Sequence, residues 1–246
     1  MDARPLTPRN SLLTRCAAVL ILATVTSPIS AVDQTLEFRK IDARLDNYGY
    51  VSKNHLWPSN IVSVCWENPT PDNARQRLAV EVAVEQSWEL YAGLAFSGWG
   101  NACIAGARGI HIFVADEQPR SLIGSRLDGV TRGVRLNFSF GNWGRAYCGS
   151  DANRDSCIKT VGVHEFGHVL GLIHESLRSD APTSCKDSYV VTSDDSDPGD
   201  GQERTPYDPE SIMNYCNLIY GKQTSLSALD KVVAQVMYPK PSAKAH

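Results

Sequence analysis

The chain has 246 residues and a formal net charge of −3 at pH 7. This length suits one ordinary domain with its own hydrophobic core and leaves no room for a second large one. Because the charge balance gives no strongly basic surface, the composition argues against a nucleic-acid-binding protein.

The N-terminal region has the layout of a secretory signal peptide. Arg4, Arg9 and Arg15 make a positive start, and a short apolar run follows at 16–25. That run is too short to span a bilayer, and an ordinary buried helix fits the charge layout poorly. No other segment of the sequence is long and apolar enough to cross a membrane. We therefore predict a signal peptide over residues 1–31 and a secreted or periplasmic protein.

Residues 32–55 are polar and charged, with few apolar anchors. Two interpretations stay open for this segment, a short pro-segment and a loose N-terminal arm. The folded domain is predicted over residues 56–240, and the tail, 241–246, is predicted to be disordered.

Hydrophobic patterns predict the secondary structure of the first part of this domain. Strands are predicted at 56–66, 94–100, 109–115 and 133–140. A helix is predicted over 74–91, because Leu78, Val82, Trp88 and Tyr91 recur at helical spacing. The two aromatic side chains, Trp88 and Tyr91, are expected to lie in the core.

The cysteines predict a disulfide framework. Removal of the signal peptide would leave six of the seven cysteines, an even number that is typical of exported chains with disulfide bonds. Six cysteines allow fifteen pairings. The expected pairs are Cys148–Cys157, which closes a short loop, Cys185–Cys216 and, by elimination, Cys65–Cys103. A thiolate zinc site is disfavoured because the sequence has no CxxC spacing.

The segment 148–157 carries acidic and amide side chains at alternate positions from Asp151 to Asp155. An EF-hand calcium loop is excluded, since its sixth position is Ser156 rather than Gly and its twelfth is not Glu. A turn that leads into a helix over 158–170 is predicted instead, with Asp155 or Ser156 as the N-cap.

The sequence HEFGHVLGLIHE, which begins at His164, has the spacing of a zinc site. His164 and His168 are four residues apart, so both imidazoles project from one face of a helix and can bind one zinc ion. Glu165 is the natural general base for a water on that zinc. Gly171 can end the helix with a positive φ and return His174 as a third ligand. Three protein ligands are typical of catalytic zinc, whereas structural zinc has four.

This motif carries a family resemblance. HExxHxxGxxH resembles the zinc signature of the metzincin metallopeptidases, and Glu175 directly after it resembles the longer astacin form. The sequence SIMNY at 211–215 resembles the astacin Met-turn, in which a Met lies beneath the zinc and a Tyr two residues later reaches the metal. Met213 and Tyr215 are at those positions, and Asn214 stands where the family usually has His.

The resemblance implies an α+β fold with two lobes. One lobe has a twisted mixed sheet with two long helices, and a smaller irregular C-terminal lobe carries the Met-turn and a final helix. Residues 56–240 would then be a metallopeptidase catalytic domain with Glu165 as general base and Tyr215 as a donor to the oxyanion. In the family, the residue matching Glu175 receives the mature N-terminus, and Met213 would lie beneath the zinc without touching it.

The predicted function is therefore a secreted zinc endopeptidase with one catalytic zinc and protein or peptide substrates, without nucleic acid or a membrane anchor. A non-catalytic secreted binding protein that retains the fold is the alternative from another class, and the intact Glu165 argues against it. A zinc enzyme that acts on something other than protein is a weaker alternative. If residues 32–55 are a pro-segment, Asp33, Asp42 and Asp46 are candidates for the family's inhibitory aspartate, although solvated charges are favoured.

The strand at 134–140 precedes the zinc helix in the chain. In metzincins the edge strand at this place pairs with extended substrate, so we predict that residues 134–140 form that edge. Backbone pairing of this kind gives affinity without dictating side chains.

The segment 180–204 is predicted to be a loop with an acidic middle. Its carboxylates are Asp194, Asp195, Asp197, Asp200 and Glu203. They could bind calcium, form a rim that favours basic substrates or remain solvated, and the last interpretation is preferred. A final amphipathic helix is predicted over 226–237, with Ser227 or Ser225 as its N-cap.

Overall fold

The computed structural model describes residues 50–188, 201–203, 205–216 and 225–240. The predicted signal peptide, most of the segment 32–55, the middle of the acidic loop and the predicted tail lie outside this part of the chain. Within the described ranges, no helix combines the length and the apolar character needed to cross a membrane.

The described residues form seven strands and four α-helices. The strands are β1 (Tyr50–Ser52), β2 (Ile61–Trp66), β3 (Ala95–Ser97), β4 (Ile110–Val114), β5 (Arg120–Ser121), β6 (Val130–Leu136) and β7 (Gly201–Glu203). The helices are α1 (Ala74–Val84), α2 (Asp151–Leu170), α3 (Thr183–Ser188) and α4 (Ala228–Met237). A π-helical turn, Glu85–Glu89, continues α1. Short 3-10 turns lie at Lys53–His55, Pro71–Asn73, Gly124–Leu127 and Glu175–Leu177.

Five strands form a mixed sheet in the order β3-β2-β4-β6-β5. All pairs in it are parallel except β5 with β6, which is antiparallel. The predicted edge strand was therefore wrong: β6 lies between β4 and β5, and residues 137–140 have left the sheet. The edge is formed instead by the short strand β5, which pairs with β6. Two residues are too few to give an alternating pattern, so the sequence does not reveal this strand.

The core lies between one face of this sheet and the two long helices. Seven sheet side chains on that face are buried, namely Val62, Val64, Trp66, Ile110, Ile112, Val134 and Leu136. Phe166 of α2 also belongs to this core, and its ring centroid lies 4.9 Å from that of Phe96 and 5.1 Å from that of Trp99.

The predicted core position of Trp88 is confirmed, but the helix α1 packs against α2 through Val80 and Val84 rather than through the periodic residues Leu78 and Val82. Val80, Val84 and Trp88 are fully buried, whereas Leu78 is 57% exposed. The π-helical turn adds a residue to one turn of the helix, so a straight 3.6-residue period does not describe this face. A Cβ at Gly162 of α2 would lie 3.0 Å from Val80, which shows how closely the two helices approach.

Residues 50–55 are part of the folded region. Strand β1 pairs antiparallel with β7, and Val51 also forms a bridge with Leu172, just after the helix α2. Val51 and Ser52 are buried. Where the segment 32–55 ends and the catalytic domain begins stays a prediction, but these contacts show that its last residues pack against the end of α2.

Three predicted boundaries change in the structure. The helix α2 begins at Asp151, and Ser150 is its N-cap. Most of the segment 148–157, predicted to be a turn before the helix, is therefore helical. Neither Asp155 nor Ser156 is the N-cap. The predicted loop 180–204 contains the helix α3 and the strand β7. The helix α4 begins at Ala228, and Ser227 is its N-cap through a capping box with Asp230.

The three expected disulfide bonds are confirmed. They join Cys65 to Cys103, Cys148 to Cys157 and Cys185 to Cys216. The second closes the loop at the start of α2. The third connects α3 to the residue directly after Tyr215, so it holds the SIMNY segment to the chain that follows the zinc motif.

Candidate metal centre

The helix α2 ends at Gly171, where the chain reverses. Gly171 has φ = 111°, as its place after the two histidines predicted, and its N–H donates to His168 O at 2.8 Å. The N–H of Leu172 donates to Gly167 O at 3.0 Å, which completes a Schellman-type end. This left-handed residue turns the chain back, so that His174 returns to the same end of the helix as His168.

Three donors from distant parts of the chain satisfy the last carbonyl groups of α2. Trp57 Nε1 donates to Val169 O at 2.7 Å, Tyr238 Oη donates to Leu170 O at 2.8 Å, and Ser52 N donates to Gly171 O at 3.0 Å. The final carbonyls of a helix have no partner within it. These donors therefore fix the end of α2 from which His168 projects, and sequence patterns gave no sign of them.

Replacing Tyr238 by Phe should lower the free energy of unfolding by about 1–3 kcal/mol, because a buried carbonyl is left without a donor. The same change removes the acceptor of the backbone N–H of Trp57, whose nitrogen lies 3.1 Å from Tyr238 Oη. Urea unfolding of the zinc-loaded protein measures the loss, with Tyr91→Phe as a control at a partly buried tyrosine. A change below about 0.5 kcal/mol would contradict this role.

The structure brings the three predicted histidines together. The Nε2 atom of His174 lies 3.2 Å from His164 Nε2 and 2.9 Å from His168 Nε2. His164 Nδ1 faces Ile212 O at 2.8 Å, and His168 Nδ1 faces Leu172 O at 2.8 Å. Since a carbonyl oxygen only accepts, both Nδ1 atoms carry the proton, and both Nε2 atoms present a lone pair to the common point.

These residues fit a zinc ion. Zinc binds histidine nitrogen at about 2.0–2.1 Å, and nitrogens at tetrahedral angles around it are about 3.3 Å apart, close to the separations found. All three histidines are buried. Burial lowers the pKa of His164 to about 4 and that of His168 to about 3, and it lowers the pKa of His174 well below its usual range. The imidazoles are therefore neutral near pH 7, the form that binds a metal.

Glu165 directly follows His164 on the same helix and is 2% exposed. Its Oε2 atom makes no hydrogen bond with the described part of the chain. Burial raises the pKa of this carboxyl well above its usual range. A buried carboxyl group with a free oxygen and a raised pKa is suited to take up and return a proton.

The SIMNY segment lies against the centre from the other side. A Cβ at Gly167 of α2 would collide with the Met213 sulfur, so Met213 packs beneath the zinc helix where glycine leaves space. The Tyr215 ring has its centroid 4.8 Å from that of His164 and 4.4 Å from that of His174. Met213 therefore lies against the zinc helix, and Tyr215 lies beside two of the three histidines.

Comparison with known proteins was made at the level of sequence and of structure. No family model matches the chain, and no curated protein matches it. A solved structure of myroilysin aligns over 78% of this chain and 100% of its own, with 22% sequence identity and a TM-score of 0.55. The chain has the myroilysin fold. The predicted α+β fold is thereby confirmed.

Two further structures align less closely with the chain. A crystal structure of myroilysin shares 18% identity, covers 81% of this chain and 96% of its own, and has a TM-score of 0.48. High choriolytic enzyme 1, a hatching enzyme zinc-protease from the medaka fish Oryzias latipes, shares 17% identity with coverages of 80% and 96% and a TM-score of 0.45. Both scores are too low to add to the fold assignment.

Within the myroilysin fold, Glu175 connects the zinc motif to the SIMNY segment. Its N–H donates to Met213 O at 3.1 Å, and its carboxylate accepts from Asp208 N at 3.1 Å and lies 3.4 Å from Arg178 Nε. Burial raises the pKa of Glu175 to about 7, although the Asp208 N–H and Arg178 oppose the rise. The expected contact with a mature N-terminus stays a prediction, since residues 1–49 lie outside the described ranges.

Asn214, at the position where the astacin family usually has His, is buried and holds its own surroundings together. Its Nδ2 donates to Tyr207 Oη at 2.8 Å and to Pro209 O at 3.2 Å. Its Oδ1 accepts from Cys216 N at 3.1 Å. The Asn214 amide therefore bonds to chain segments that precede and follow Tyr215, so the role of Asn214 here is structural.

A second group of possible ligands, Cys65, Cys103 and His111, lies on the sheet. Its two sulfurs are joined in a disulfide bond, so they are not thiolate ligands. His111 Nε2 lies 2.9 Å from Ala107 O and is structural in this setting.

One carboxylate of the acidic loop lies in the described part of the chain. Glu203 accepts from Ser179 Oγ at 2.6 Å. The carboxylates at 194–200 lie outside the described residues, so the three interpretations of the loop, with solvated charges preferred over calcium binding, are not tested.

Proposed function

We propose that the protein is a secreted zinc endopeptidase. The observation that carries this proposal is the convergence of three neutral, buried Nε2 atoms beside the buried carboxyl group of Glu165. Three ligands leave the fourth position of a tetrahedral zinc open to water and substrate, which is the arrangement of catalytic zinc.

Bound zinc would supply Lewis acidity, which lowers the pKa of water from about 15.7 towards about 7 and polarises a peptide carbonyl. The chain's own residues then perform the proton transfers. Glu165 takes a proton from the attacking water and returns it to the leaving amine, as its free Oε2 and raised pKa suit it to do. His164, His168 and His174 remain neutral ligands throughout.

Tyr215 is assigned the role of donating its hydroxyl proton as a hydrogen bond to the oxyanion that forms at the carbonyl. Its ring packs against two of the three ligand imidazoles, so its side chain is at the metal centre. Met213 forms the floor of the site under Gly167. Such donors, held in place before the reaction, supply a large part of catalysis in acyl transfer.

We assign the binding of extended substrate to strand β5, which lies at the edge of the sheet. It pairs with β6 on one side and, among the described strands, has no neighbour on the other. It also lies against the zinc helix α2. A peptide added antiparallel to this edge would be held by its backbone. The substrates are therefore protein or peptide chains.

The export of the protein is supported by two features. The predicted signal peptide over residues 1–31 and the three disulfide bonds both fit an oxidising, extracytoplasmic compartment. A binding protein that retains the fold is the alternative function. It would have no use for the buried carboxyl group of Glu165, whose Oε2 atom makes no hydrogen bond with the described part of the chain.

Metal analysis tests the proposal. The purified mature protein should contain about one zinc per chain, because the described part of the chain holds one set of three converging histidines. Peptidase activity should be lost to a chelator and restored by added zinc. An active preparation free of transition metals would contradict the proposal, and a zinc-containing protein inactive on all denatured protein substrates would favour the binding-protein alternative.

A further inference from the structure

A chain of hydrogen bonds runs outward from the His164 ring. His164 Nδ1 donates to Ile212 O at 2.8 Å. The other end of the same peptide unit, the N–H of Met213, donates to Ser211 Oγ at 3.0 Å. Ser211 Oγ then lies 2.7 Å from Asp230 Oδ1 on the helix α4. The chain thus leads from a metal ligand to a buried carboxylate that the proposed chemistry does not use.

The direction of every bond in this chain is fixed by chemistry. A carbonyl oxygen can only accept and a peptide N–H can only donate, so Ser211 Oγ accepts from Met213. The hydroxyl proton of Ser211 is then left to donate to the Asp230 carboxylate. All the donors point from the imidazole towards the negative charge, and His164, Ser211, Met213 and Asp230 are all buried.

Asp230 is held rigidly at the end of this chain. Its Oδ2 accepts from Ile212 N at 2.9 Å and from Ser227 N at 3.0 Å, in addition to the bond from Ser211. Burial raises the pKa of Asp230, whereas the hydrogen bonds from Ser211, Ile212 and Ser227 oppose the rise. A buried carboxylate with no cation among these partners polarises its hydrogen-bond donors strongly, because the surrounding dielectric is low.

We infer that Asp230 and Ser211 are positioning residues that strengthen His164 as a zinc ligand through the Ile212–Met213 peptide. Each bond in the chain polarises the next, so the carbonyl of Ile212 becomes a better acceptor and His164 Nε2 a stronger donor to the metal. This inference rests on the proposed zinc site. It also gives a reason for the serine two residues before Met213.

His168 provides an internal comparison. Its Nδ1 faces Leu172 O at 2.8 Å, and the N–H of the same peptide unit, from Ile173, donates to Tyr50 O at 2.8 Å. The second chain has the same first two steps but ends in a neutral carbonyl of the strand β1. The two ligands of the helix therefore have unequal support, and His164 is the one connected to a charge.

The test is a matched pair of serine variants, Ser211→Ala and Ser227→Ala. Each removes one buried hydroxyl that bonds a buried aspartate, Ser211 to Asp230 at 2.7 Å and Ser227 to Asp208 at 2.6 Å. Only the Ser211 hydroxyl lies on the chain to His164, and Ser227→Ala keeps the backbone N–H of Ser227 that donates to Asp230 Oδ2. Two quantities are measured on the same preparations of the exported, mature protein. They are the zinc dissociation constant, from competition with a fluorescent chelator, and the thermal stability of the zinc-free protein.

Ser211→Ala should weaken zinc binding by about 10-fold or more, as loss of an outer hydrogen bond to a ligand does. Ser227→Ala should lower thermal stability but change the zinc dissociation constant by less than about twofold. Equal effects of the two variants on zinc binding would overturn the inference. Wild-type protein that binds no zinc would instead overturn the proposed function, so the two failures are distinguishable.

A second matched pair covers the case in which Ser211→Ala does not fold. Asp230→Asn removes the charge at the end of the chain, and Asp208→Asn removes the neighbouring buried charge, which accepts from Ser227 Oγ and from Glu210 N at 2.9 Å. Asp230→Asn should weaken zinc binding by a factor of about 10, and Asp208→Asn by much less. Equal weakening in this pair would also overturn the inference.

Discussion

Replacing Glu165 by Gln should lower kcat/KM by about 10²–10⁴-fold, which is the usual contribution of a general acid–base group. Glutamine has nearly the same shape as glutamate, so the packing of the helix α2 should persist. Glutamine cannot take up a proton, however, because an amide group replaces the carboxyl group whose Oε2 atom is free of hydrogen bonds to the described part of the chain. In free energy the loss is about 3–5 kcal/mol of transition-state stabilisation.

Steady-state kinetics on a quenched peptide, with zinc content measured on the same sample, decides the role of Glu165. Glu89→Gln is a suitable control, because Glu89 is a partly buried carboxylate with a raised pKa, caused mainly by burial, that accepts from Phe96 N on the sheet. The control should retain wild-type kinetics. Wild-type kcat in Glu165→Gln at full zinc occupancy would show that another group is the base.

The zinc centre could be predicted from the sequence because its geometry is local. The spacing of His164 and His168 on one helix, and a glycine that allows φ = 111° at Gly171, fix most of the arrangement within eleven residues. Of the disulfide pairs, Cys148–Cys157 was indicated in the same way by its short loop. These features depend on residues that are near one another in the chain.

The supports of that centre could not be predicted in the same way. Trp57, Tyr238 and Ser52 reach the end of α2 from positions more than 60 residues away, and no periodic pattern marks a side chain that donates to a distant carbonyl. The chain of hydrogen bonds from His164 to Asp230 likewise joins two helices, α2 and α4, through the SIMNY segment. Such contacts follow from the tertiary fold, which a single sequence does not specify.

The substrate edge and the helix α1 show two other limits. The two-residue strand β5 is too short to produce an alternating pattern, so the longer strand β6 was assigned the edge instead. In α1, the π-helical turn at Glu85–Glu89 shifts the buried face and brings Trp88 Nε1 to within 2.7 Å of Val163 O on the zinc helix. A periodic sequence pattern predicts regular helices and strands, but it does not predict a very short strand or a π-helical turn.

Replacing Tyr215 by Phe should lower kcat by about 30- to 1000-fold, or about 2–4 kcal/mol of transition-state stabilisation. The substitution removes only the hydroxyl group, so the ring should still pack against His164 and His174, at centroid distances of 4.8 and 4.4 Å in the wild type. Zinc content should be unchanged for the same reason. Because the bond to the oxyanion forms mainly in the transition state, KM should change little.

The competing explanation is that Tyr215 is a packing residue beside the ligands. Its ring contacts with two imidazoles and the disulfide at Cys216 next to it would serve packing equally well. Under that explanation Tyr215→Phe keeps wild-type kinetics, as does the control Tyr91→Phe, which removes a hydroxyl from a tyrosine of the helix α1 region. A selective fall in kcat for Tyr215→Phe at full zinc occupancy would identify the hydroxyl as the oxyanion donor. Equal kcat in both variants would remove Tyr215 from the mechanism and leave the role of Glu165 untouched, because proton transfer by that carboxyl group does not depend on a phenol.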